Sequence, residues 1–270
     1  MTFQGTVEAP SDGRMYADER EEARQIQLSL LPERGLKEAI FEIAYRYSPF
    51  AEVGGDFADF FNLPDGRAGL YVGDVVGKGL PAAMYATLVM GMLRGIHKTG
   101  QGTADALALL NRRLLVRPVK GRYSAMIYAV FDPASGELSF SNAGLPYPLL
   151  VSKSGCRALG QGGVPTGLLP DSSYEPCSVQ LSPGDAVLFA TDGLHELRDG
   201  DDRDFSWDRL AEIWQQCGCK SAEESLDFLF EEAKGFSEGD SQKDDITAVV
   251  LKVHPVAAGA ALGCRLASSF

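Results

Sequence analysis

The sequence predicts an α+β fold, with helices packed on a system of antiparallel sheets. Three observations point there. Strand-like apolar runs come in blocks rather than alternating with helices, helical segments come in pairs, and the turn "PDG" joins two runs into a hairpin. The 270 residues, 45% hydrophobic and 23% charged, suffice for a globular chain with a substantial core.

Residues 1–16 mix Gly, Pro, Ser and Asp without periodicity and read as a flexible tail. Residues 17–32 read as a helix, acidic early and apolar late, stopped at Pro32. Ile26, Leu30 and Leu31 would form a narrow apolar stripe on it. Two readings stand side by side, a helix docked on its own domain and a linker or switch helix. Residues 33–254 form the main domain, and 255–270 an Ala/Gly-rich tail.

"EIAYRYSPF" reads as a strand, and residues 56–74 as a β-hairpin turning at "PDG". Pro81 suits the first turn of a helix reaching about His97. "TADALALLNRRLL" is a second helix, with Thr103 as its expected N-cap. The strands "YSAMIYAVFDP", "GELSFSN", "YPLLVS" and "DAVLFATDG" follow. The helices "SWDRLAEIWQQC" and "SAEESLDFLFEEAKGF" come next, and "ITAVVLKV" is the last strand.

The formal net charge of −12 argues against nucleic acid and anionic lipid as partners. The five cysteines include no Cys-x-x-Cys, and none of the three histidines is spaced with them as in a zinc site. The thiols read as reduced, and the expected location is cytoplasmic. The N-terminus lacks the apolar segment of a signal peptide. The apolar run 80–93 is too short to span a bilayer.

The stretch "GDVVGKGLPAAM" (73–84) invites a nucleotide-loop reading. A Walker A loop needs four residues between its glycines and a Ser or Thr after the lysine. Here three residues separate Gly73 from Gly77, and Gly79 follows Lys78. A metal-holding turn fits better. If the hairpin turn centres on Asp65, Asp56 and Asp74 face each other across the ladder. Opposed like charges are destabilising, so such a pair needs a cation, a shared proton or open water. Asp192 follows a further apolar strand, and Asp244 and Asp245 precede another. Carboxylates without ligand-spaced thiols or histidines favour hard ions, Mg²⁺ or Mn²⁺.

The segments "RQIQLSLLP" (24–32), "VGGDFADF" (53–60), "GDVVGKGLPAA" (73–83), "NAGLPYPLL" (142–150), "LSPGDAVLFATDGLHE" (181–196) and "DDIT" (244–247) resemble the PPM (type 2C) metal-dependent Ser/Thr protein phosphatases, above all the bacterial sporulation-protein-E (SpoIIE)-like branch. The resemblance implies a four-layer α-β-β-α sandwich with two Mn²⁺ or Mg²⁺ ions at one end of the sheets. It implies Asp56, Asp74, the Val75 carbonyl, Asp192 and Asp244 as ligands, with Asp56 and Asp74 positioning the attacking water. Gly55, Gly193 and Asp245 would support them from behind, with Gly73 a further structural glycine. Lys78 is either a solvated loop residue or a contact to the substrate phosphate, and Gln27 and Leu30 are candidate switch contacts. The implied reaction is hydrolysis of phosphoserine or phosphothreonine on a regulatory protein such as an anti-sigma-factor antagonist, with a sensor or receiver as regulatory partner and a homodimer admitted. Leu145 and Lys78 stand where the branch commonly has His. That departure motivates an alternative, a phosphatase-fold binding module without turnover.

Overall fold

The computed structural model describes residues 12–97, 101–237 and 242–255. Of the tails expected at 1–16 and 255–270, residues 1–11 and 256–270, with Cys264, lie outside the described residues. Helix α1 spans Asp12–Leu30, so it begins five residues earlier than the composition suggested. Gly13 weakens a helix without ending it, and Arg14 and Met15 favour one.

Among the described residues, eleven strands follow in two antiparallel sheets. The first sheet holds β1 (Leu36–Lys37), β2 (Phe41–Ser48), β7 (Leu149–Ser152), β8 (Gly155–Ala158), β10 (Ala186–Ala190) and β11 (Ile246–Val253), in the order β1-β2-β11-β10-β7-β8. The second holds β3 (Phe57–Asn62), β4 (Ala68–Val75), β5 (Ser124–Asp132), β6 (Glu137–Ala143) and β9 (Cys177–Gln180), in chain order. The predicted hairpin is β3–β4. The strands β1, β8 and β9, of two to four residues, were not anticipated. Runs that short carry too few alternations to register as strands.

The inner faces of the two sheets bury one apolar layer, with Phe41, Ile43, Val249 and Leu251 against Leu70, Val72, Ile127 and Phe131. Helices α2 (Gly79–Ile96) and α3 (Thr103–Leu115) cover the outer face of the second sheet over Tyr71 and Tyr128. Helices α4 (Trp207–Gln216) and α5 (Ala222–Phe236) cover the first sheet. There the fully buried Trp214 donates its indole N–H to the Leu149 carbonyl at 3.0 Å. The layers are therefore α-β-β-α, as expected.

Three local expectations change. Thr103 is the first residue of α3 rather than its cap. Gly102 is the N-cap, and the Thr103 hydroxyl bonds Ser141 Oγ at 2.9 Å in the core. The stripe on α1 does not include Ile26, which is 56% exposed; Gln27, Leu30 and Leu31 turn inward instead. Among the described residues, α2 at 18 residues is long and apolar enough to cross a membrane, despite the shorter run counted in the sequence. Its Ala82, Ala86, Val89 and Leu93 are spent on the core.

Candidate metal centre

The β3–β4 ladder fixes the centre of the site. Phe57 pairs with Gly73 and Asn62 with Ala68. One rung beyond Phe57, that register sets Asp56 opposite Asp74. The pairing continues outward, because Val75 N–H donates to the Gly55 carbonyl at 3.3 Å. The register inferred from the turn is the one the chain adopts.

Asp56 is 1% exposed. Its Oδ2 accepts the Thr191 hydroxyl at 2.8 Å, and Thr191 Oγ1 accepts the Thr247 N–H at 2.9 Å. Burial, then the charges of Asp74 and Asp245, hold the Asp56 carboxyl well above the usual carboxylate range. Asp74 is pushed up to about 7 by burial and by Asp192 and Asp244, against a hydrogen bond from Asp56. Both shifts favour the protonated form of the pair when no cation is bound.

Asp192 opens a short 3-10 turn after β10, where its carbonyl accepts the N–H groups of His195 and Glu196 at 3.1 and 3.0 Å. The glycine after it is forced by close approach, since a Cβ on Gly193 would sit 2.0 Å from the Asp245 carbonyl oxygen. Asp244 precedes β11, with Oδ1 accepting its neighbour's N–H at 2.9 Å. Asp192, Asp244 and Asp245 each act on Asp74 through their charge, raising its pKa.

Asp245 plays a different part. Its buried carboxylate accepts Phe50 N–H at 2.8 Å and Gly55 N–H at 2.6 Å, clamping the loop that leads into Asp56. Gly55 lets that loop pass close beneath β4: a Cβ there would lie 2.7 Å from the Val75 carbonyl and 3.1 Å from Asp74 Oδ1. Gly73 is equally tight, with the Phe57 ring 2.4 Å from where its Cβ would be.

Lys78 Nζ pairs with Asp244 Oδ2 at 2.8 Å, bonds the Lys243 carbonyl, and lies 5.2 Å from the centre of the Phe50 ring. Leu145 does not reach the site. It is 5% exposed between the sheets, in a turn held at both its N–H and its carbonyl by the Asn142 side chain, each at 2.9 Å. Gln27 of α1 does reach the loop: it donates to the Gly54 carbonyl at 2.7 Å and accepts the Gly54 N–H at 3.1 Å. Leu30 packs on the helical layer, and its carbonyl accepts from Arg94, whose Nε is held by Asp59 at 3.0 Å.

Sequence reasoning missed Thr191 and Tyr47. Thr191 stands beside Asp192 as a polar residue at the end of an apolar strand, a signal that was available. Tyr47 lies beside Asp245 and Asp56, and burial with those charges raises its pKa. Nothing local marks it.

Among the described residues, no three carboxylate, imidazole or thiol groups form a finished metal cage. Thr191 holds Asp56, Lys78 pairs with Asp244 and two backbone N–H groups hold Asp245. The donor set nonetheless fits a hard divalent cation. It is all oxygen and acidic, the chemistry a hard divalent cation takes.

The family model described as Stage II sporulation protein E (SpoIIE) matches residues 64–254. The chain is 26% identical to Protein IcfG of Synechocystis over 86% of its length, spanning 41% of that protein. It is 23% identical to the phosphoserine phosphatase RsbU of Bacillus subtilis, over 87% of this chain and 70% of that one. The SiaA-PP2C domain of Pseudomonas aeruginosa superposes with a TM-score of 0.80 at 19% identity, covering 91% of this chain and 99% of the domain. The RsbU and RsbW domains of Rv1364c from Mycobacterium tuberculosis match at a TM-score of 0.67 and 29% identity, over 80% of this chain and 60% of that one.

Proposed function

The chain belongs to the SpoIIE family, and on that premise we propose that it is a metal-dependent protein phosphatase acting on phosphoserine or phosphothreonine. One observation carries the reading. Asp56 and Asp74 oppose each other on one rung at the sheet edge, with Asp192 and Asp244 arriving from the other sheet.

Asp56, Asp74, the Val75 carbonyl, Asp192 and Asp244 would hold two Mn²⁺ or Mg²⁺ ions. Bound there, such ions supply Lewis-acid charge to the phosphoryl group and acidify water. Thr191 orients the Asp56 carboxylate, and Asp245 fixes the loop that carries it. Asp244 must leave Lys78 to serve as a ligand, and the released ammonium is then placed to meet the substrate phosphate. The likeness to phosphoserine phosphatases RsbU and RsbP supports a phosphorylated regulatory protein, of the anti-sigma-factor-antagonist kind, as substrate. A sensor or receiver partner acting through α1 and Gln27, and a homodimer, belong to the same reading.

The test is Mn²⁺-dependent hydrolysis of p-nitrophenyl phosphate and of a phosphoserine peptide. Asp74→Asn and Asp192→Asn should each remove about 99% of activity while circular dichroism is unchanged, a loss of ~2.7 kcal/mol in transition-state stabilisation. Full activity in both variants would sink the proposal. The Lys78–Asp244 pair favours one second reading, a binding module whose ligand position is permanently filled by lysine. Turnover of any phosphopeptide excludes it.

A further inference from the structure

The end of the first sheet remote from the acids carries a cavity of about 1060 Å³. The chain directions separate the two places. Asp192 follows β10 and Asp244 precedes β11, whereas Gly184 precedes β10 and Lys252 and His254 close β11. The cavity lies at the upper end of the range for small-molecule sites, roughly 300–1,000 Å³.

Four of the chain's nine lysines line it, each from a different segment. Lys37 comes from β1, Lys153 from the β7–β8 turn, Lys220 from the α4–α5 turn and Lys252 from β11. Among the described residues, the one carboxylate in the lining is Glu42, which accepts the Ala222 N–H at 2.7 Å and lies 3.9 Å from His254 Nε2. Among the described residues, neither Lys37 nor Lys153 has an ion-pair partner. Lys252 is 4% exposed, and its ammonium donates to the Gly218 carbonyl at 2.6 Å. Four ammonium groups against one carboxylate are thus concentrated in a chain whose net charge is −12. Lys252 stands opposite Glu42 on the β2–β11 ladder with Asp185 also near, so the charge left for a ligand to meet is chiefly that of Lys37 and Lys153. Val151, Pro183 and Pro255 add an apolar wall.

We propose that this cavity binds a phosphate-bearing small molecule of nucleotide size. Lysines on separate segments act as independent point charges, which suits several phosphates better than one carboxylate. The volume and the apolar wall leave room for a base or similar body.

The experiment is calorimetric titration of the full chain with ATP, GTP and pyrophosphate, in chelator and on an Asp74→Asn background. These conditions remove the metal centre as a competing phosphate site. The expected result is saturable one-to-one binding, weakened about tenfold by Lys153→Glu and by Lys37→Glu, exposed positions whose replacement leaves the core intact. The same two variants in the otherwise wild-type chain keep full Mn²⁺-dependent hydrolysis of p-nitrophenyl phosphate. Equal binding of pyrophosphate assigns recognition to the phosphates, and tighter nucleotide binding adds the apolar wall; both support the proposal. It is overturned if none of the three probes saturates at millimolar concentration, or if both lysine variants bind as tightly as their parent. Binding of a polyglutamate peptide without binding of the phosphates would also overturn it, assigning the cavity to an acidic protein segment.

Discussion

Gln27 of α1 and Gly54, in the loop leading to Asp56, are joined by two hydrogen bonds that pair a side-chain amide with a backbone amide. The contact is buried, and it couples the N-terminal helix to the position of a candidate ligand. Gln27→Leu would leave both Gly54 groups unpaired, at about 1–3 kcal/mol. The expected outcome is a folded protein whose Mn²⁺ half-saturation rises about tenfold, roughly 1.4 kcal/mol of that cost. Metal titrations of phosphatase activity check it, with circular dichroism as the control.

Asp74 supplies a pH dependence. Its pKa is raised from 3.8 to about 7. Between those values the folded chain holds a proton that the unfolded chain has released. Stability of the metal-free protein therefore falls as pH rises from about 4, and the loss is complete above about 7. The raised Asp56 acts in the same direction. Chelator-treated protein should melt at a higher temperature near pH ~6 than near pH ~8, and Asp74→Asn should reduce that difference, with Asp56 keeping the remainder. Mn²⁺ should reverse the trend, because binding needs the deprotonated carboxylates.

Lys78 and Asp244 are both substantially exposed, so their ion pair contributes little to folding, about 0–1 kcal/mol. Its effect falls on the site. Lys78→Met should bind Mn²⁺ more tightly, since Asp244 no longer has to leave an ammonium, while KM for the phosphopeptide rises. Calorimetry and steady-state kinetics separate the two effects. Unchanged metal affinity would mean that the pair is incidental.

Leu145 stands where the branch commonly has His. Its place between the sheets gives a different expectation. Leu145→His puts a polar ring into an apolar layer and should cost about 2–4 kcal/mol of stability. No gain in kcat should accompany it. Denaturant unfolding together with kinetics at saturating metal tests both statements.

The layers and the central acid pair were legible because each depended on local information. "PDG" fixes where β3 turns into β4, and equal counts on either side then set Asp56 opposite Asp74. Asp192 and Asp244 stand out because each borders an apolar strand. What was not legible is contact between distant segments. Thr191 reaches an acid 135 residues away, and Tyr47 becomes part of the acidic environment only when β2 pairs with β11. Thr103 looked like a cap because its type suits one, yet a hydroxyl on the neighbouring β6 claimed it. Ile26 fitted a helical stripe, but the inward side of α1 was decided by the loop that Gln27 meets.

The five residues 63–67 between β3 and β4 close on themselves, with Leu63 N–H donating to the Arg67 carbonyl at 2.7 Å and Gly66 N–H to the Leu63 carbonyl at 3.0 Å. They lie at the opposite end of the hairpin from the acids. Inserting or deleting a single codon there would leave every candidate ligand in the chain, yet any length change taken up by the ladder would slide Asp74 past Asp56 by one rung, turning it to the other face. Substitutions in this connector should be tolerated widely and length changes hardly at all. In the comparison of homologous genes, a gap at this point would mark the loss of the site more reliably than the identity of any residue within it.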